Sequence, residues 1–275
     1  MDVARKLFAF YIDSSIHVGL SVCSLLVISC IEYDLTLQKE LLGLVFFGSI
    51  SGYNFVKYAE VAGLHHRSLA KSLRAIQIFS FLSLIPLLYS LFNLPRKVIF
   101  WVAFFGILTL FYAVPFLNKR SLRTLSGVKI FVVAIVWAGI TVVIPWIAVN
   151  DYFDADIGIS FVQRILLVLV LLFPFEIRDL QYDQRLLSTI PQKLGVYKTK
   201  LLGTFLIALL VALDLFKDEH TMIHFRSLLL ISLALLIMLW KSKERQSRYF
   251  ASFWVETLPI LWLALLYGLV YLDIS

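Results

Sequence analysis

Cysteine is nearly absent from this sequence of 275 residues: there are two, Cys23 and Cys30, both inside one apolar run. Two thiols so placed on one helix cannot build a disulfide framework, and no Cys/His spacing along the chain resembles a metal site. Charge is scarce as well. Asp, Glu, Lys and Arg make up 16% of the chain against 60% hydrophobic residues, and the mean hydropathy is +0.88. That balance excludes an ordinary soluble domain. There is no low-complexity linker and no repeat with an obvious period. The first apolar run does not read as a cleavable signal peptide, because Asp13 and His17 interrupt its approach and no small-residue cleavage site follows.

What the sequence does contain is a series of apolar runs of the length that crosses a bilayer, near 14–31, 41–56, 74–92, 98–117, 128–149, 160–177, 199–216, 224–240 and 253–272. They predict an all-α integral membrane bundle of nine transmembrane helices, forming a single polytopic domain over residues 1–275. Prolines 86, 115, 145, 174 and 259 lie in or beside these runs, where neighbouring helices can satisfy the freed backbone groups. The net charge of +7 follows topology and does not point to nucleic acid. Assigned loop by loop, only Lys39, Arg96, Lys97, Arg164, Lys217 and Arg226 fall on one side of the bundle, and the other cations fall on the opposite side. The positive-inside rule then predicts a cytoplasmic N-terminus and an external C-terminus, as for a protein of a bacterial inner membrane.

Three cytoplasmic segments are more polar than tight turns require: 57–73, 118–128 and 178–198. The third follows the run "ILLVLVLLFPF" and opens "EIRDLQYDQR". At 3.6 residues per turn Glu176, Asp179 and Asp183 share one helical face, and like charges four apart repel, so a cation is expected on that face. Together the three segments offer carboxylates, a Lys/Arg cluster and Tyr hydroxyls. These are the groups that bind a Mg²⁺-bridged phosphate ester, Mg²⁺ through carboxylates and the remaining anionic charge through Lys and Arg. An apolar bundle beneath could hold a lipid tail.

The third segment resembles the second aspartate motif of the UbiA superfamily of intramembrane prenyltransferases. The pattern R-D-x-x-x-D, T-L-P, L-G stands here as Arg178, Asp179, Asp183, Thr189, Ile190, Pro191, Leu194 and Gly195, with one residue fewer in the middle. The second segment resembles the family's Tyr-x-x-Pro followed by basic residues, as Tyr112, Pro115, Lys119 and Arg120. Nine spans with motif loops after the second and the sixth match the family's arrangement over nearly the whole chain. The first family motif, N-D-x-x-D-x-x-x-D, has lost its aspartates. Its place reads Asn54, Phe55, Val56, Lys57, Tyr58, with Ala62 last. A literal N-D-x-x-D does occur at Asn150, Asp151 and Asp154, but in an external loop that the sixth span separates from Asp179, and it reads as a solvated acidic turn.

The resemblance implies transfer of a prenyl group from a prenyl diphosphate to an aromatic or other lipophilic acceptor. Asp179 and Asp183 would hold Mg²⁺. Lys57, Lys119, Arg120 and Arg178 would contact the diphosphate, with Asn54 and Tyr112 orienting it. Read from topology alone, Lys57, Lys119 and Arg120 are also ordinary cytoplasmic cations. The lost aspartates leave a second expectation open: a non-catalytic protein of the same fold that binds a polyprenyl or quinone lipid, or serves as a membrane assembly partner.

Overall fold

A computed structural model of the chain describes residues 3–58, 70–113, 128–181, 189–218 and 221–274. Among them every regular element is helical. The chain opens with a short amphipathic helix, α1 (Val3–Asp13), which meets α2 (Ile16–Glu32) at a bend of 54°. Ser15 makes the corner with φ 63°, a left-handed conformation that is unusual for a residue with a side chain. Then come α3 (Lys39–Tyr58), α4 (Ala70–Phe92) and α5 (Arg96–Ala113). The next span is α6 (Lys129–Ala138) and α7 (Ile144–Val149), joined without a break through a π-helical turn, Gly139–Val143. The remainder is α8 (Ala155–Asp179), the single-turn α9 (Ile190–Leu194), α10 (Val196–Asp214), α11 (Met222–Lys241), a second π-helical turn (Phe250–Val255) and α12 (Leu258–Ile274).

Helices lie on each of the nine apolar runs. Among the described residues six are long and apolar enough to cross a membrane, or seven if the bent α1–α2 pair counts as one span. The other two runs correspond to α3 and α5. The first is diluted by Ser49, Ser51, Tyr53, Asn54 and Lys57. The second is described only as far as Ala113, short of its expected end. The α6–α7 span and α8 form the centre of the bundle, with 72% and 67% of their windows buried, whereas α4 is peripheral at 17%. Phe173, Ile144, Leu25 and Leu235 are fully enclosed between these helices. Close approach of α5 to the π turn depends on Gly139, where a Cβ atom would overlap the Phe105 ring.

Arg164 corrects the assignment of cations by loops. It is counted with the cations of one side of the bundle although the run 160–177 contains it; α8 begins at Ala155 and Arg164 is buried within it, 3% exposed. Burial is made possible by acceptors: its guanidinium donates to Leu25 O at 3.2 Å and Ser29 Oγ at 3.0 Å, and it lies over the Trp262 ring at 5.4 Å. Asp151 and Asp154 are exposed as expected. Asp151 pairs with Lys97 at 2.7 Å, and Asp154 caps α8 by accepting from the Asp156 N–H. Asp156 departs from that reading: it is buried and accepts from the Asp218 N–H at 3.0 Å.

Candidate functional site

One end of the bundle gathers the ends of α1, α3 and α8 with the starts of α2 and α6 and the second π turn. Asn54, in the last turn of α3, is 3% exposed because its amide is fully engaged. Its Oδ1 accepts from Ser15 Oγ at 2.8 Å, and its Nδ2 donates to Ser14 O at 2.9 Å and Ser80 Oγ at 2.8 Å. One turn on, Lys57 Nζ donates to the same Ser15 Oγ at 2.9 Å, and Tyr58 OH donates to Asp13 O. Lys57 also lies within electrostatic reach of Glu256, Asp13 and Arg178. None of these acidic partners comes from the segment where the aspartates are missing.

The end of α8 contributes alternating charges. Glu176 is 3% exposed and accepts from Lys129 Nζ, at the start of α6, at 2.8 Å. Arg178 forms an ion pair with its neighbour Asp179, both contacts at 2.8 Å, and rests on the Phe175 ring. The helix ends at Asp179, so of the predicted acidic face Glu176 and Asp179 are described, and the expected cation is Lys129. Gln192 holds the Thr189 N–H at 3.0 Å at the start of α9. Gly195, with φ 80°, provides the break before α10 that a side chain would resist. Asp183, Lys119 and Arg120 lie outside the described residues.

Directly below this polar layer is an apolar cavity of about 430 Å³ between α2, α3, α4, α5 and α6. From Val56 to Leu44 its wall follows α3 for about 18 Å at 1.5 Å per residue. Tyr53 and Tyr112 line it as well, and Trp137 Nε1 donates to Tyr53 OH at 2.9 Å. Tyr112 is buried and within electrostatic reach of Lys129 and Tyr53, so it belongs to the cavity wall and the charged layer together. A second cavity of about 420 Å³ is lined by Asn54, Tyr58, Gln77 and Ser80 and shares Ser51, Gly52, Thr109 and Leu110 with the first. Cations above a chamber of this size suit a ligand with an ionic head and an apolar tail.

The opposite end holds a second polar cluster that sequence reasoning missed: Glu32, Asp156, Gln163, Arg164, Asp214, Lys217 and His224, drawn from several helices and their connections. The clue available in the sequence was the number of ionisable residues just inside apolar runs. Tyr33 closes it, donating to Asp156 O at 3.1 Å and sharing a hydrogen bond with Ser160. Burial, with the Glu32 charge beside it, holds the Tyr33 phenol above its ordinary range and keeps it a donor.

No family model matches the sequence, and neither does any curated protein. Solved structures do resemble the fold. A UbiA homologue from Aeropyrum pernix K1, in its apo form, superposes with a TM-score of 0.67 over 94% of this chain and 98% of its own, at 14% identity. A digeranylgeranylglyceryl phosphate synthase gives 0.58 over 97% and 98%, at 15% identity. A UbiA homologue from Archaeoglobus fulgidus, bound to GPP and Mg²⁺, gives 0.57 over 94% and 99%, at 14% identity. The chain therefore has the fold of these UbiA homologues.

Proposed function

We propose that this chain is a divergent member of the UbiA superfamily, with nine membrane crossings and its charged layer on the cytoplasmic side, that binds a prenyl diphosphate and transfers the prenyl group to a lipophilic acceptor. The observation that carries this reading is the charged layer seated on an apolar chamber of about 430 Å³, with Tyr53 and Tyr112 between them. Lys57, Arg178 and Lys129 would take the diphosphate oxygens, joined by Lys119 and Arg120. The prenyl chain would extend along α3, away from water that would quench an allylic cation. Asn54 acts through Ser15, which it holds in place for Lys57.

Asp179, the described carboxylate of the motif, would hold a single Mg²⁺ together with Asp183, because this ion needs only one or two carboxylates with substrate oxygens completing its shell. When bound it would neutralise charge developing on the departing diphosphate. The side of the first motif offers Asn54, Lys57 and Tyr58, and a single ammonium replaces a divalent ion incompletely. Slow turnover is the consequence. A second reading, a non-catalytic binder of a prenyl or quinone lipid, is favoured by one observation: Lys129 and Arg178 already have carboxylate partners, and a ligand must compete with them. Diphosphate release from a panel of prenyl diphosphates, with and without Mg²⁺, separates the two. Release that requires Asp179 supports the enzyme, and binding without release supports the second reading.

A further inference from the structure

The cluster at the far end of the bundle contains more than its charges require. Lys217 Nζ contacts Glu32 Oε1 and lies 3.1 Å from Asp214 Oδ1, so one ammonium bridges both carboxylates. His224 Nε2 approaches the same Glu32 oxygen at 3.3 Å. The four side chains are nearly inaccessible, at 2% for Lys217 and Asp214 and 7% for Glu32 and His224. Ser160 Oγ donates to Glu32 at 3.3 Å, and Gln163 Nε2 donates to Asp214 at 3.2 Å. If Lys217 were the whole purpose, His224 would have no function there. Its Nδ1 is buried and has no hydrogen-bond partner among the described residues, and its ring lines, with Glu32 and Gln163, a cavity of about 10 Å³, close to the size of one water.

One ligand atom each from Glu32, Asp214 and His224 lie within 4.8 Å of one another, near enough to close on one ion with small side-chain rotations. We propose that these three residues form a second site, for a divalent transition metal of the Zn²⁺ class, which Lys217 holds closed when no metal is bound. One imidazole and two carboxylates, with room for a water, are a donor set for Zn²⁺ and not for Mg²⁺, which prefers oxygen ligands alone. Ser160 and Gln163 supply the outer hydrogen bonds that orient such carboxylates. A divalent ion balances the charge of both carboxylates by itself. Lys217 has a short way out, because it sits in the turn after α10 beside the exposed Leu215 and Phe216. Arg164 lines the same small cavity, within electrostatic reach of Glu32, but its guanidinium is held by Leu25 O, Ser29 Oγ and the Trp262 face and is not displaced.

The test uses the full chain in detergent, with Zn²⁺ as the probe and Mg²⁺ as its control. Lys217→Met removes the competing ammonium and leaves Glu32 and Asp214 with one positive charge fewer beside them, Arg164 staying within electrostatic reach of Glu32. This variant is expected to bind one equivalent of Zn²⁺ about tenfold or more tighter than the unaltered protein, and to regain its unfolding temperature with Zn²⁺ and not with Mg²⁺. Adding His224→Gln should abolish both effects. A purely structural ion pair predicts the opposite: a destabilised Lys217→Met that Zn²⁺ does not rescue, or Zn²⁺ binding indifferent to His224→Gln, and either result overturns the proposal. If Lys217→Met does not fold, metal analysis of the unaltered protein after dialysis against Zn²⁺ decides instead. One equivalent that His224→Gln loses supports the site, and no uptake overturns it. Neither measurement depends on prenyl diphosphate.

Discussion

Asn54 and Lys57, three positions apart on α3, are joined through a residue outside that helix: Lys57 Nζ donates to Ser15 Oγ, which donates to Asn54 Oδ1. Ser15 is also the left-handed corner between α1 and α2. Rotamer freedom of a lysine is ordinarily large, and fixing it costs entropy. Here the corner has already fixed it. The bend in the first span and the position of the ammonium are thus one structural decision.

Lys57→Ala should weaken prenyl diphosphate binding by about 1.5 to 3 kcal/mol, the range for a charge-assisted contact. Calorimetry at several Mg²⁺ concentrations tests this. Strict dependence on Mg²⁺ together with an indifferent Lys57→Ala would return Lys57 to the rank of an ordinary cytoplasmic cation.

Asp179→Asn removes one charge and almost no volume. It is expected to abolish diphosphate turnover where turnover is measurable, because Mg²⁺ needs anionic oxygen ligands. Asp154→Asn, in the exposed turn before α8, should leave turnover unchanged. Equal losses from the two, in protein shown to be folded, would transfer the site to the external motif.

Glu176→Gln leaves Lys129 without its carboxylate in a half-buried position. Thermal unfolding should register a loss of about 1 to 3 kcal/mol, less than for a fully buried pair because Lys129 keeps some contact with solvent. An unchanged unfolding temperature would show that Lys129 has another resting place.

Gly139→Ala sets a methyl group against the Phe105 ring, which must move toward the cavity it lines. Overpacking of this kind costs about 1 to 3 kcal/mol, and Phe105→Leu in the same chain should recover most of it. Binding of longer prenyl diphosphates should fall in the single variant and return in the double. Additive losses in the double variant would count against the contact.

Orientation is tested by reporter fusions. One placed after Ser275 should be external and one near Arg245 cytoplasmic. The same compartment for both is incompatible with nine crossings.

The helices were legible because apolar runs of bilayer length have few other uses. A cation against the Glu176 and Asp179 face was legible from repulsion alone, but its identity was not. Lys129 and Glu176 are separated by nearly two whole spans and the connection between them, and no local spacing links them. For the same reason the grouping of Glu32, Asp214 and His224 was invisible, since metal-site patterns in sequence are short-range and these residues meet only when α2, α10 and α11 pack. The π turns left no signature, as apolar residues serve either helical pitch. Arg164 was assigned to one side because a count of charges by loops cannot register acceptors such as Leu25 O that wait inside the bundle.

Arg164 and Glu176 both belong to α8 and stand about 18 Å apart along it at 1.5 Å per residue. Each is part of a charged network, so the wholly apolar layer inside the protein is thinner than the roughly 30 Å of hydrocarbon around it. Considered as an electrical insulator, the bundle narrows the dielectric. A membrane potential would fall more steeply across this short interior than across the neighbouring lipid, and the two networks would stand at the two edges of that field, each nearly at the potential of the water on its own side.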